Sequence, residues 1–168
     1  NNKWLNYIQD QADRMNILVN DLLSLSRLEN NRRDFVTADF DLSRAITNAA
    51  LPFECQAFES GKNFVLNIEE GIRINGSEQH IKQMAGIFID NALKYSKENG
   101  TVRVSLINDD NKAILAVYNT GSGVPEEEVD KLFERFYRSD TSRARSTGGY
   151  GLGLAIAKSI IDKHKFKV

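Results

Sequence analysis

Two glycine clusters and one Asn–Lys pair have the residue types and spacing to act on an anion. Asn119-Thr120-Gly121-Ser122-Gly123 follows a run with strand alternation, and Gly148-Gly149-Tyr150-Gly151-Leu152-Gly153 precedes a helical pattern. Glycine at such points lets backbone approach a ligand closely and take positive φ. A helix that begins at the second cluster aims its free N–H groups and positive dipole end at an anion. Asn91 and Lys94 lie three residues apart in a helical stretch, so they are neighbours on one face. An amide oxygen suits a hard cation such as magnesium, which leans on substrate phosphates for much of its shell. A lysine ammonium neutralises phosphate oxygens as a point charge. Glycine turns are common, and an Asn–Lys pair also fits a plain solvated helix face, so neither feature decides alone.

The usual phosphate loops do not account for these glycines. A P-loop needs Gly, four residues and then Gly-Lys-Ser/Thr, but Leu154 stands where the lysine belongs. The dinucleotide fingerprint needs glycines at i, i+2 and i+5. Counted from Gly149 or Gly151, its third position falls on Leu154 or Ile156.

The elements that must position these residues follow from periodicity. Trp4, Ile8, Gln11, Met15, Leu18, Leu22 and Leu25 alternate by four and three, and Asn30-Asn31 supplies a stop. That stripe is either the seam of a coiled coil or helical bundle, or the face of an amphipathic helix packed on the domain that follows. Residues 35–42 read as a short strand and residues 43–60 as a helix that Gly61 ends. Residues 64–68 and 72–74 read as strands around the turn Glu69-Glu70-Gly71. A helix over residues 77–96 starts at a Ser77 cap, with Ile81, Ala85, Phe88, Ala92 and Tyr95 as its core face. Residues 101–107 and 113–118 alternate around Asn108-Asp109-Asp110-Asn111 and form a hairpin. A short helix near residues 126–136, a polar stretch and a last helix over residues 152–163 complete the chain. This order predicts an α+β domain, a two-layer α/β sandwich with a mixed sheet, preceded by one long helix.

Composition narrows the partners. The 168 residues carry 41% hydrophobic and 27% charged residues, an ordinary globular balance, and a net charge of −1. Phosphate-backbone binding calls for a basic surface, so nucleic acid is not expected. The one cysteine, Cys55, excludes an internal disulfide and is expected to be a small buried hydrophobe. No apolar run reaches the ~20 residues of a membrane helix. Asn1 falls inside a helical pattern and the residues near Val168 look like a strand beginning, as in a piece of a longer protein.

Four motifs in order carry a resemblance. Ile89-Asp90-Asn91-Ala92-Leu93-Lys94-Tyr95-Ser96 resembles the N box of sensor histidine kinases, and Asn119-Thr120-Gly121-Ser122-Gly123-Val124-Pro125 their first glycine box. Leu132-Phe133-Glu134-Arg135-Phe136-Tyr137-Arg138 is similar to their F box, and Gly149-Tyr150-Gly151-Leu152-Gly153-Leu154 to their second glycine box. Arg14-Met15 and Asp21-Leu22-Leu23-Ser24-Leu25-Ser26-Arg27-Leu28-Glu29 are similar to the second helix of the family's dimerisation and phosphotransfer domain. The resemblance implies a Bergerat-type ATP-binding catalytic domain over residues 35–168, its C-terminal strand truncated, after that second helix over residues 1–34. It implies that Asn91 holds magnesium, that Lys94 and Arg138 contact the ATP phosphates, and that Tyr95 lies near ribose and base. Phe133 and Leu152 belong to the implied nucleotide site. Gly121 and Gly123 would close over adenine beside Asn119, and Gly149, Gly151 and Gly153 would hinge a lid formed by residues 139–147. A homodimeric, membrane-anchored bacterial protein is implied, with this part cytoplasmic and a response-regulator protein as its partner.

Three departures stand against the family's pattern. Asn119 replaces a usual aspartate, so the adenine amino group meets a neutral amide oxygen rather than a carboxylate. Ile87 stands one turn before Asn91, where another asparagine is frequent. The histidines, His80 and His164, lack the acceptor signature and are expected to be surface or structural residues, with the acceptor on the preceding helix. Rival readings are a gyrase- or chaperone-like ATPase, whose glutamate base would occupy position 87, and a degenerate kinase that serves as a scaffold.

Overall fold

Helix α1 spans Asn2–Asn30, and its apolar stripe has two fates. Leu25 and Leu28 are buried against the domain, while Trp4, Ile8, Met15 and Leu22 remain exposed. Only the last turns of the predicted seam therefore pack as a helix on a domain. The computed structural model describes residues 2–30, 35–138 and 149–168.

Strand β1 (Ala38–Asp41) pairs antiparallel with β3 (Arg73–Gly76) in a two-stranded sheet. Strand β2 (Asn63–Ile68) runs parallel to β4 (Thr101–Asp109), and β4 pairs antiparallel with β5 (Lys112–Asn119). The sheet β2-β4-β5 is thus mixed, as the sequence predicts. The strands flanking the turn at residues 69–71 do not pair with each other but enter different sheets. Ser43 fixes that turn: its Oγ donates to Glu69 O at 2.6 Å and accepts from Ile72 N–H at 3.0 Å. Parallel pairing of β2 with β4 requires a crossover. Helix α3 (Glu78–Tyr95) lies between them in the chain and supplies it.

Helix α2 (Leu42–Glu59) starts at Asp41, whose carboxylate accepts from Arg44 N–H at 2.9 Å. It packs on α3, which also meets α4 (Gly153–His164). Ile46 and Ala50 of α2, Ile81, Ala85 and Ile89 of α3, Val102 and Val104 of β4, and Ile156 and Ile160 of α4 form one core between helices and sheet. Two expectations need correction. Ile89 and Leu93 are buried on α3, whereas Phe88 is half-buried and Tyr95 is exposed, so its core arc is turned from the stripe read in the sequence. A helix covered by α2, α4 and the sheet buries more than one stripe, and periodicity alone does not say which edge stays open. Cys55 is exposed rather than buried, since α2 turns that position away from α3.

Ser77 occupies the N-cap position of α3, but its hydroxyl does not cap the helix; it bonds to His80 Nδ1 at 2.8 Å. His164 closes the same corner. Its Nδ1–H donates to Ile160 O at 2.8 Å, and its Nε2 accepts from Ser77 N–H at 3.0 Å. A carbonyl only accepts and a backbone N–H only donates, so this ring must be neutral in one tautomer. Phe35 stacks on His80 at 5.4 Å and meets His164 edge-on at 4.6 Å, so both histidines are structural. Burial lowers both pKa values from the ordinary 6.5; for His80 protonation of His164 and the charge of Lys163 would add to it, and for His164 the Ile160 bond opposes it. Neutral histidines that resist protonation when folded give full stability above that ordinary value and lose it as pH falls below it. The thermal midpoint is therefore expected to be flat from about pH 8 to 7 and to drop by a few degrees toward about pH 5.5. Calorimetric scans of the native chain and of His164→Gln check this, because the variant's midpoint should fall less steeply with acid.

Candidate nucleotide site

One cavity of about 690 Å³ collects the sequence motifs. Alternation along β5 turns Leu115, Val117 and Asn119 to the same side, and all three stand in its wall. Helix α3 contributes Ile87, Phe88, Asn91, Lys94 and Tyr95, the edge that its core arc leaves open. Gly121 and Gly123 close one side, Tyr137 and Arg138 another, and Gly149, Gly151 and Gly153 lead into α4. The short helix predicted near residues 126–136 is two 3₁₀ turns, Glu126–Glu128 and Asp130–Phe133. They end before Phe136, which takes a left-handed φ of 62°. The chain is stitched there to the second glycine cluster, as Phe136 N–H donates to Gly151 O at 2.9 Å.

The electrostatics come from few groups. Asp90 Oδ2 accepts from the Lys94 ammonium one turn on, an i,i+4 ion pair that holds the lysine at the cavity wall. Ile17 and Asp21 of α1 complete the wall. Burial raises the Asp21 carboxyl above the ordinary carboxylate range, and the positive charge of Lys94 pulls in the opposite direction. Among the described residues no cluster of acids, histidines or cysteines could hold a metal by itself.

Residues 76–168 match the family described as histidine kinase-, DNA gyrase B- and HSP90-like ATPases. That is more than half of the chain. The chain belongs to this ATPase family. It is 36% identical to the sensor protein DltS of Streptococcus agalactiae over 99% of its own length and 42% of that protein's. The chain therefore spans less than half of that curated relative. The catalytic fold is the same as in the mycobacterial sensor histidine kinase MprB, with a TM-score of 0.69, 30% identity, and coverage of 76% of this chain and 82% of that one. Full-length ShkA, solved with AMPPNP, gives a TM-score of 0.78 at 25% identity over 96% of this chain and 33% of that one. These relatives make the chain an ATP-binding catalytic domain of the histidine-kinase type.

Of the residues expected at the site, the ATPase fold brings Asn91, Lys94, Tyr95, Asn119, Gly121, Gly123, Arg138, Gly149, Gly151 and Gly153 around the cavity. Phe133 and Leu152 do not line it. Leu152 is fully buried in the core, and Leu132, beside Phe133, takes the place in the wall. A 3₁₀ turn places successive side chains about a third of a turn apart, so neighbours in the F box face different ways. The expected lid at residues 139–147 lies outside the described residues. Asp90 carried a readable signal in its i,i+4 spacing to Lys94. Asp21 carried none, because only tertiary packing of α1 brings it here. No helix among the described residues is long and apolar enough to cross a membrane.

Proposed function

We propose that residues 35–168 bind magnesium-ATP and donate its γ-phosphoryl group to a histidine outside this chain, for relay to a response-regulator aspartate. Residues 1–34 are read as the second helix of the dimerisation and phosphotransfer unit of a homodimeric, membrane-anchored kinase. The observation that carries the reading is the meeting of Asn91, Lys94, Arg138 and Asn119 on one cavity. Its volume lies within the roughly 300–1,000 Å³ usual for small-molecule sites. The donor set fits the ligand: a carboxamide for a hard cation, an ammonium and a guanidinium for phosphates, and an apolar wall of Phe88, Leu115 and Val117 for a base.

In this reading Asn91 and the nucleotide phosphates hold magnesium, which would supply neutralising charge during transfer. Lys94, kept at the wall by Asp90, and Arg138 bind phosphate oxygens. Tyr95 flanks the ribose, and Asn119 accepts from the adenine amino group through its amide oxygen. Ile87 stands at the cavity where a hydrolysing ATPase would keep its glutamate base, and its side chain can move no proton. That favours transfer to an acceptor over hydrolysis. ATP is expected to bind more tightly than GTP, but by a smaller factor than a carboxylate would give, because the Asn119 amide can also turn its NH2 toward a keto oxygen. Calorimetric titrations of both nucleotides test this; equal, weak binding of ATP and GTP would overturn the assignment of Asn119.

A further inference from the structure

Helix α1 reaches the cavity at a point the nucleotide reading leaves unused. Asp21 stands in the same wall as Asn91, Lys94 and Arg138. Three further contacts keep it there. Gln83 Nε2 donates to Ser24 Oγ at 3.0 Å, Leu25 and Leu28 are buried in the core, and Glu29 is ion-paired with Arg135 of the F box. The last turns of α1 thus lie along the domain and present Asp21 and Glu29 to the cationic side chains Lys94 and Arg135. Asp21 is half-buried and feels the Lys94 ammonium, which Asp90 already pairs.

A polyphosphate entering this cavity needs Lys94 and brings several negative charges. A carboxylate in a partly desolvated wall opposes that charge and draws on the same ammonium, so it and the phosphates are rivals. We propose that Asp21 is a charge-sensing residue of the nucleotide site, through which docking of α1 and binding of polyphosphate weaken each other. The inference rests on the reading above that phosphates lie at Lys94. Coupling of this kind is reciprocal: whatever affinity the docked helix takes from the nucleotide, the nucleotide takes from the docking.

The test is a calorimetric titration of the 168-residue chain and of Asp21→Asn with ATP and with adenosine, at low and high salt. Asparagine keeps the shape and removes the charge, so it also removes a desolvation cost and leaves the fold intact. The variant is expected to bind ATP about five- to tenfold more tightly and adenosine equally well, with the gain shrinking as salt screens the charge. Hydrogen exchange gives the reciprocal arm. ATP should speed exchange over residues 18–28 in the native chain and have little effect there in the variant. An unchanged or weakened ATP affinity in Asp21→Asn overturns the proposal, as does an equal gain for adenosine. If the native chain binds no ATP at all, the nucleotide reading falls and this inference falls with it.

Discussion

Asn91→Ala is expected to slow magnesium-dependent phosphoryl transfer to a supplied acceptor histidine protein by about two to three orders of magnitude. The size follows from what surrounds the residue. Asn91 is half-buried at the cavity edge of α3, and Ile87, one turn earlier, offers no second amide. Asp90 is ion-paired with Lys94 and so is poorly placed to take over a cation. Asn91 is the side chain that would hold magnesium in the proposed reading, so without its carboxamide the ion would be held less firmly and the charge that builds up during transfer would be less well neutralised. The thermal midpoint should hardly move, because alanine is a good helix former and the side chain is not in the core. Single-turnover transfer rates, with ATP affinity measured with and without magnesium, check the expectation. Affinity without magnesium should change less than about twofold. Native transfer rates in the variant would remove Asn91 from the site.

Much of this was legible because the informative residues are local. Glycine clusters after a strand and before a helix announce backbone that must approach something, and Asn91 and Lys94 share a face by spacing alone. Strand alternation puts Leu115, Val117 and Asn119 on one side of β5, and all three line the cavity. What escaped depends on packing between distant segments. Phe88 and Tyr95 share a stripe with Ile81, yet they face the cavity because α2 and α4 cover the other sides of α3. Leu152 sits between glycines that line the site but points into the core. Asp21 belongs to a helix whose own sequence shows only a seam, and nothing in its spacing brings it to Lys94. The turn at residues 69–71 sends its two strands into different sheets, a choice made by β4 and β1 rather than by the turn.

Gly151→Ala is expected to lower ATP affinity at least about tenfold and the thermal midpoint by roughly 5–10 °C. Gly151 has a φ of +72°, where an L side chain costs about 1–2 kcal/mol. A Cβ there would also lie 2.7 Å from Tyr137 O and 2.9 Å from Phe136 C, both backbone atoms. Phe136 cannot yield cheaply, since it is itself left-handed and donates its N–H to Gly151 O. Relief must come from parting the two segments, at a further cost of about 1–3 kcal/mol, and Arg138 would move with them. Gly123→Ala separates the two effects. Its φ of +73° is nearly the same, but nothing lies within 4 Å of the added carbon. It should therefore lose only the dihedral cost, about 2–6 °C in midpoint. Equal losses in the two variants would mean that the contact between Gly151 and the F box holds nothing in place. A larger loss at Gly151, with affinity falling in step, makes that backbone contact the support on which Arg138 is positioned.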